Sequence, residues 1–196
     1  VGVVGPDRRG ERLRAQLENI GADVTGCAVD PTRPTIEKTR LISGATQMLR
    51  VDWEKKLPIE DALAERILAD LPGRVARARA VVLSDYGKGL LTRRLLAGAI
   101  SAARSAGVPV LVDPKGQDYT IYRGATLVTP NRKEAEEALG RKLPDLSAVT
   151  GAARDLIELA GLEAAVITLG AEGMLHMSRG GESGHVPTVA RAVFDV

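Results

Sequence analysis

The sequence predicts an α/β protein with a mostly parallel sheet, and three observations carry that reading. Four short apolar runs, at 80–83, 108–112, 126–129 and 164–169, alternate with segments whose apolar residues recur at helical spacing. Continuous apolar strands joined by amphipathic helices are the pattern of a parallel sheet with helices on both faces. Each run also ends in polar or glycine residues: Ser84-Asp85-Tyr86-Gly87-Lys88-Gly89, Asp113-Pro114-Lys115-Gly116, Thr129-Pro130-Asn131-Arg132-Lys133-Glu134 and Thr168-Leu169-Gly170-Ala171-Glu172-Gly173. Ligands of open α/β sheets bind outside the carboxyl ends of the strands, so these four tails are the candidate site.

The elements follow in order. Residues 1–4 form a strand, and the turn Gly5-Pro6-Asp7-Arg8-Arg9-Gly10 leads into a helix carrying Leu13, Leu17 and Ile20, stopped at Gly21. Residues 23–29 are strand-like. The stretches 35–42 and 47–53 alternate polar and apolar residues around Ser43-Gly44-Ala45-Thr46, as a β-hairpin with one polar face does. Pro58 is suited to the first position of a helix bearing Ile59, Leu63, Ile67 and Leu71. After strand 80–83 comes a helix with Leu95, Leu96, Ala99, Ile100 and Ala103, closed by Gly107; strands 108–112 and 126–129, helices 132–139 and 148–160, and strand 164–169 follow. The segments 174–177 and 185–189 flank Gly180-Gly181-Glu182-Ser183-Gly184 as a hairpin at a sheet edge. No repeat or interdomain linker interrupts the chain, which reads as a single domain over 1–196. It opens without methionine inside an apolar run and closes in strand-like residues at 193–196, so a cut from a longer chain is expected.

Composition narrows the partners. The chain has 196 residues, 44% hydrophobic and 27% charged, enough for an ordinary core. Its 27 lysines and arginines against 25 acids leave a net charge of +2, and one Trp, one Phe and three Tyr give little to stack bases on; no nucleic-acid partner is expected. Cys27 is alone, so no internal disulfide forms, and a core thiol is its simplest role. No apolar run reaches the roughly 18 residues of a membrane span, and no signal-peptide pattern opens the chain. A cytoplasmic protein without membrane attachment is expected. His176 and His185 are too far apart to share a helical face and lack cysteine companions, so they do not make a metal site.

Several residues in the tails have chemistry to offer. Asn131 precedes a helix with Glu134 three residues on, the spacing of a capping box. The same pair at a strand mouth suits waters around Mg²⁺ or nucleotide phosphates, which the helix N-terminus also favours. Gly170 and Gly173 let backbone approach a nucleotide, although tight turns use glycine equally. The Gly5-x-Asp7-x-x-Gly10 turn is not the dinucleotide fingerprint, and no G-x-x-x-x-G-K-[ST] loop is present. Asp85, Lys88, Asp113 and Lys115 alternate charges at two strand ends, as sugar and phosphate sites do and as surface ion pairs also do. Arg33, Lys38, Arg40 and Arg50 make the hairpin basic, either as a solvated face or as an anion-binding lid.

In order along the chain, Gly5-x-Asp7-x-x-Gly10, Asn131-x-x-Glu134, Thr168-x-Gly170-x-x-Gly173 and Val193-Phe194-Asp195-Val196 resemble the PfkB, ribokinase-like carbohydrate kinases. More narrowly, Arg33-Pro34-Thr35-x-x-Lys38-x-Arg40, Arg50-Val51-Asp52-x-Glu54, Ser84 to Gly89, Asp113 to Gly116 and Tyr122-Arg123-Gly124-Ala125-Thr126 resemble the D-glycero-β-D-manno-heptose 7-phosphate kinase branch, which includes the kinase half of bifunctional ADP-heptose synthesis proteins. The resemblance covers essentially the whole chain. It implies ATP-dependent phosphorylation of the anomeric hydroxyl of heptose 7-phosphate, on the way to the lipopolysaccharide core.

By the same resemblance, Asn131, Arg132, Lys133 and Glu134 face nucleotide and Mg²⁺, with Glu134 as the metal-side carboxylate. Thr168, Gly170 and Gly173 line the ATP cleft, and Asp85, Lys88, Lys115 and Arg40 meet the sugar phosphate. The hairpin at 33–54 becomes a β lid that pairs two subunits into a homodimer. In the family the general base and anion hole belong to a Gly-Ala-Gly-Asp segment that would follow Val196, so no catalytic residue is assigned here and residues 1–196 alone are expected to be inactive. Two other readings stay open: another sugar kinase of the family, and a nucleotide-binding or dimerising module without catalysis. A nicotinamide-dependent enzyme fits the alternation but lacks the glycine fingerprint.

Overall fold

The computed structural model describes residues 1–44 and 46–189, in two compact units. Val193 to Val196, part of the family resemblance, lie outside the described residues.

The first unit comprises Val1–Ala69 and Lys88–Thr92. Strand β1 (Gly2–Val4) pairs in parallel with β2 (Cys27–Val29), and helix α1 (Arg8–Asn19) connects them. Asp7 caps α1 by accepting the Gly10 N–H, while its other oxygen accepts the Thr35 N–H at 2.8 Å. These two bonds, the backbone bond from Thr35 first, hold the Asp7 carboxyl below its ordinary pKa. The Thr35 hydroxyl in turn accepts from the Gly5 N–H at 2.9 Å. A Cβ on Gly5 would stand 2.5 Å from the Arg33 carbonyl oxygen, and one on Gly10 2.6 Å from that of Gly5. The Gly-x-Asp-x-x-Gly spacing therefore records a packed turn. As the sequence indicates, α1 ends beside Gly21, whose positive φ lets its N–H reach the Glu18 carbonyl. Two expectations change here: the strand read at 23–29 shortens, because Asp23 closes a turn onto the Thr25 N–H, and Cys27 is half-buried rather than a core thiol.

The hairpin is present as β3 (Glu37–Ser43) and β4 (Thr46–Trp53), antiparallel, with Arg40 opposite Arg50 and a register shift between Leu41 and Ile42. Cross-strand pairs sort its faces. Thr39, Leu41, Leu49, Val51 and Trp53 share one, and Lys38, Arg40, Arg50 and Asp52 share the other. Helix α2 (Asp61–Val75) begins three residues after Pro58, not at it. The backbone there is committed elsewhere: the Pro58 carbonyl accepts from Arg33 and the Ile59 N–H donates to Gly89.

The second unit holds Asp70–Gly87 and the chain from Arg93 onward. Its six-stranded sheet runs in the order β10-β9-β8-β7-β6-β5, built from β5 (Val81–Ser84), β6 (Val110–Asp113), β7 (Leu127–Val128), β8 (Ala164–Thr168), β9 (Met174–Ser178) and β10 (Ser183–Val186). The pairs from β5 to β8 are parallel, and β9 and β10 add an antiparallel edge. Helices α3 (Arg93–Ser105), α4 (Arg132–Leu139) and α5 (Leu146–Ala160), with a 3₁₀ turn at Tyr119–Tyr122, form the connections.

Each parallel connection steps one strand in the same direction, and crossovers are right-handed, so all of these helices fall on one face. On that face Val110, Val112, Val128, Ala165, Ile167, Leu175 and Met177 are each at most 3% exposed. The opposite face carries Leu111, Leu127 and Val166 half-buried and Val82 67% exposed. Helices α3, α4 and α5 thus cover the first of these faces.

In the 196-residue chain, Leu156→Ala beneath the covered face should cost about 2–5 kcal/mol in urea denaturation. Val82→Ser should cost less than about 1 kcal/mol. Equal losses would contradict the difference in burial between these two positions.

Candidate functional site

Parallel pairing carries the four polar tails to one edge of the sheet. Ser84 registers with Asp113, and the ladder continues beyond the strands: Asp85 N–H donates to the Asp113 carbonyl at 2.9 Å, Thr129 N–H to Val112, and Thr168 N–H to Pro130 at 2.9 Å. Asn131 bridges to Thr168. Asp85, Asp113, Asn131 and Thr168 therefore stand on the same edge.

Side chains link this row into one network. Asp85 accepts the Gly87 N–H at 2.8 Å on one oxygen and the Tyr122 hydroxyl at 2.9 Å on the other. The Tyr122 hydroxyl accepts the Lys115 backbone N–H at 3.0 Å. The Lys115 ammonium then donates to Glu134 at 2.9 Å, a bond that raises the lysine pKa. Asn131 and Glu134 complete the capping box of α4: the Glu134 N–H donates to the Asn131 side chain at 2.9 Å, and the Asn131 N–H to Glu134 Oε2 at 3.1 Å. Arg132 crosses to Glu172 at 2.9 Å, joining the α4 N-terminus to the Gly170–Glu172 turn, while its Nε has no partner.

Tyr122 is the residue that sequence reasoning left out of the site. It is fully buried, and burial pushes its hydroxyl far above the ordinary phenol range, so it remains a neutral donor. The available signal was that a buried tyrosine needs a hydroxyl partner. Its neighbour Tyr119 packs edge-on with ring centroids 5.8 Å apart, and the Tyr119 hydroxyl is buried without a partner.

The two turn glycines differ. Gly173 has φ +94°, and a Cβ there would meet the Val186 carbonyl oxygen at 2.0 Å, so the close passage of backbone requires glycine. Gly170 has φ +61° with open space around the Cβ position.

Other sequence-derived residues make different contacts. Lys133 is highly exposed and 3.8 Å from Glu137 one helical turn on. In the first unit, Lys88 places its ammonium on Glu54, and Arg40 is exposed on the hairpin without an ion pair among the described residues. No group of three His, Cys, Asp or Glu side chains suited to a metal occurs among the described residues. A single carboxylate completed by ligand phosphates and water is a common magnesium arrangement, and Glu134 fits it with one bond on each oxygen. A cavity of about 400 Å³ lies at the opposite edge of the sheet, lined by Arg104, Thr126, Glu163 and Arg179, and contains none of these residues.

Residues 1–196 match the family model described as pfkB family carbohydrate kinase. The chain belongs to this family. The pfkB chain is 46% identical over 194 residues to the bifunctional protein HldE of Geobacter metallireducens, covering 99% of itself and 40% of that protein. It is 43% identical over 198 residues to HldE of Bradyrhizobium diazoefficiens, again spanning 40% of the relative. The chain thus spans about two fifths of the length of these curated relatives. Among solved structures, ribokinase from Giardia lamblia superposes with a TM-score of 0.75 at 18% identity, over 98% of this chain and 59% of that one. Arabidopsis thaliana ribokinase gives 0.73 at 19%, over 98% and 62%. At that identity the likeness establishes the fold. No helix among the described residues is long and apolar enough to cross a membrane.

The glycine contrast is testable by denaturant titration of single variants. Gly170→Ala should cost about 1–2 kcal/mol, the penalty for a left-handed alanine. Gly173→Ala should cost about 3 kcal/mol or more, because strain and a backbone clash combine. A Gly173→Ala variant as stable as Gly170→Ala would remove the structural account of that turn.

Proposed function

We propose that the protein carrying this chain is an ATP-dependent sugar kinase that phosphorylates the anomeric hydroxyl of D-glycero-β-D-manno-heptose 7-phosphate, giving the 1,7-bisphosphate used for ADP-heptose and lipopolysaccharide core synthesis in the cytoplasm. The observation that carries this reading is the similarity to HldE proteins over essentially the whole chain at more than 40% identity.

The edge network supplies chemistry that fits. Nucleotide phosphates are favoured at the α4 N-terminus by its partial positive charge and by Arg132, whose Nε is unpaired. Gly170 leaves open space beside that end, and Thr168 is tied to Pro130 and Asn131 next to it. Mg²⁺, when bound with ATP, would be held on the Glu134 side and would neutralise charge developing on the transferred phosphoryl group. Lys115 is already held on the Glu134 carboxylate and offers a mobile ammonium for the same charge. Asp85, held by Gly87 and Tyr122, is a fixed acceptor for a sugar hydroxyl. No residue of 1–189 is assigned as the base.

The decisive assay is coupled ADP release by the full-length protein with heptose 7-phosphate, ribose and fructose. Heptose 7-phosphate should be preferred by at least about 100-fold in kcat/KM, the discrimination expected of a site built to pair a charged substrate group. A preference for ribose or fructose would reassign the substrate within the family, and ATP binding without turnover of any sugar would favour a non-catalytic module.

The β3–β4 hairpin serves in this reading as a lid and as the contact between two subunits. Leu41, Leu49 and Trp53 share its apolar face and are 51%, 52% and 54% exposed, which leaves that face available to a second copy. Light scattering should give a dimer for the full-length protein and a monomer for Leu41→Lys/Leu49→Lys; a monomeric parent would withdraw the contact.

A further inference from the structure

We propose that His185 is a positioning residue for nucleotide binding: from the edge strand β10 it holds the Gly170–Glu172 turn in the shape that receives ATP. This rests on the kinase reading above, in which that turn lines the nucleotide side of the sheet edge, and adds the side chain that sets it.

The turn has little of its own to hold it. It is a 3₁₀ segment of three residues, Leu169 in front of it supplies no side-chain cap, and helical segments this short do not persist on their own hydrogen bonds. Within it the Gly173 N–H donates to the Gly170 carbonyl at 3.0 Å and the Glu172 N–H to that of Leu169 at 3.2 Å. Gly170, Ala171 and Glu172 are all exposed, so water competes for these bonds.

The tethers come from outside. His185 Nε2 lies 2.7 Å from the Glu172 carbonyl oxygen. A carbonyl oxygen only accepts, so Nε2 carries the hydrogen and donates it. The carboxylate of the same residue accepts from Arg132 at 2.9 Å. Glu172 is therefore gripped at its main chain from β10 and at its side chain from the first residue of α4.

The edge hairpin is arranged for this reach. His185 stands opposite Leu175 and Val186 opposite Met174, so the end of β10 lies beside the turn that precedes β9. Gly173 brings the two backbones together there, against the Val186 carbonyl. The other histidine of the hairpin has a different task. His176 faces Gly184, and its ring occupies the space beside that glycine, where a Cβ would stand 2.5 Å from Nε2. His176 thus packs across the ladder, whereas His185 bonds the turn.

The consequence is selective. The turn follows β8, whereas Asp85, the sugar-side acceptor, follows β5. These strands are three spacings apart in the sheet, roughly 14 Å. Loosening the turn lowers the fraction of protein ready to take nucleotide and so raises the apparent KM for ATP, while the sugar side is untouched. A single neutral hydrogen bond shifts such an equilibrium by about three- to tenfold.

The test is steady-state kinetics on the full-length protein. His185→Ala should raise KM for ATP about three- to tenfold, with kcat and the KM for heptose 7-phosphate each within about twofold. His185→Gln, whose side-chain amide places an N–H donor at similar reach, should recover most of the loss. His176→Ala removes the imidazole of the facing strand and should leave the KM for ATP unchanged. An ATP KM insensitive to His185→Ala, an equal rise with His176→Ala, or no recovery with His185→Gln would overturn the proposal. If the parent protein turns over no heptose 7-phosphate, the kinase reading fails on its own, and calorimetry with Mg-ATP decides the role of His185. Affinity weakened about three- to tenfold by His185→Ala and recovered by His185→Gln would sustain it. Equal ATP affinity in parent and His185→Ala, or no ATP binding by the parent, would end it.

Discussion

Parallel pairing from β5 through β8 is the constraint on which the second unit depends. Because these strands point the same way and neighbour one another in chain order, their tails share one edge, and each right-handed connection returns on the same side. One arrangement of hydrogen bonds therefore sets two outcomes. It brings Asp85, Asp113, Asn131 and Thr168 to a common edge, and it gives the sheet a face sealed by α3, α4 and α5 and another with Val82 in the open. The site and the asymmetry of packing have the same origin.

Within that edge, polar satisfaction does the positioning. A carboxylate at a strand end is free to rotate unless its oxygens are engaged, and Asp85 has both engaged, one by its own turn and one by Tyr122. Tyr122 is buried and connects Asp85 to the backbone of Lys115, so that the tails of two separate strands share one anchor. The first unit follows the same logic with a different anchor. There Arg33, buried with Asp30, ties three carbonyls that would otherwise belong to independent loops. Burial acts to raise the Asp30 pKa, but bonds from Thr32 and Arg33 outweigh it, so the pair stays charged. Removing one partner would leave the other ionised and buried, which is far costlier than losing an exposed pair.

Local features were legible in the sequence, and features that depend on contacts between distant segments were not. The four strands, the Gly21 stop, the alternating hairpin and the capping spacing at Asn131 and Glu134 all rest on patterns within about ten residues, and each is found. Helix α2 starts late because Arg33 and Gly89, far away in sequence, capture the backbone beside Pro58. Tyr122 stayed out of the site because its partners lie 7 and 37 residues away. Lys38, Lys56 and Lys88 reach Glu54 from three segments, and composition registers them only as surface charge.

The Asn131–Glu134 pair shows why a structural reading and a functional one need not compete. The capping box uses one lone-pair site on Glu134 Oε2 and fixes the carboxylate against the first turn of α4. Lys115 uses one on Oε1. An ionised carboxylate offers about four such sites, so roughly half its accepting capacity is unspent. The cap orients that remainder at the helix terminus, where the partial positive charge of α4 favours an anion and the carboxylate favours the cation accompanying it. A side chain that capped the helix without charge would hold the turn but not Lys115, and an uncapped carboxylate would hold neither in place. The fold and the chemistry at this edge therefore make the same demand of a single residue.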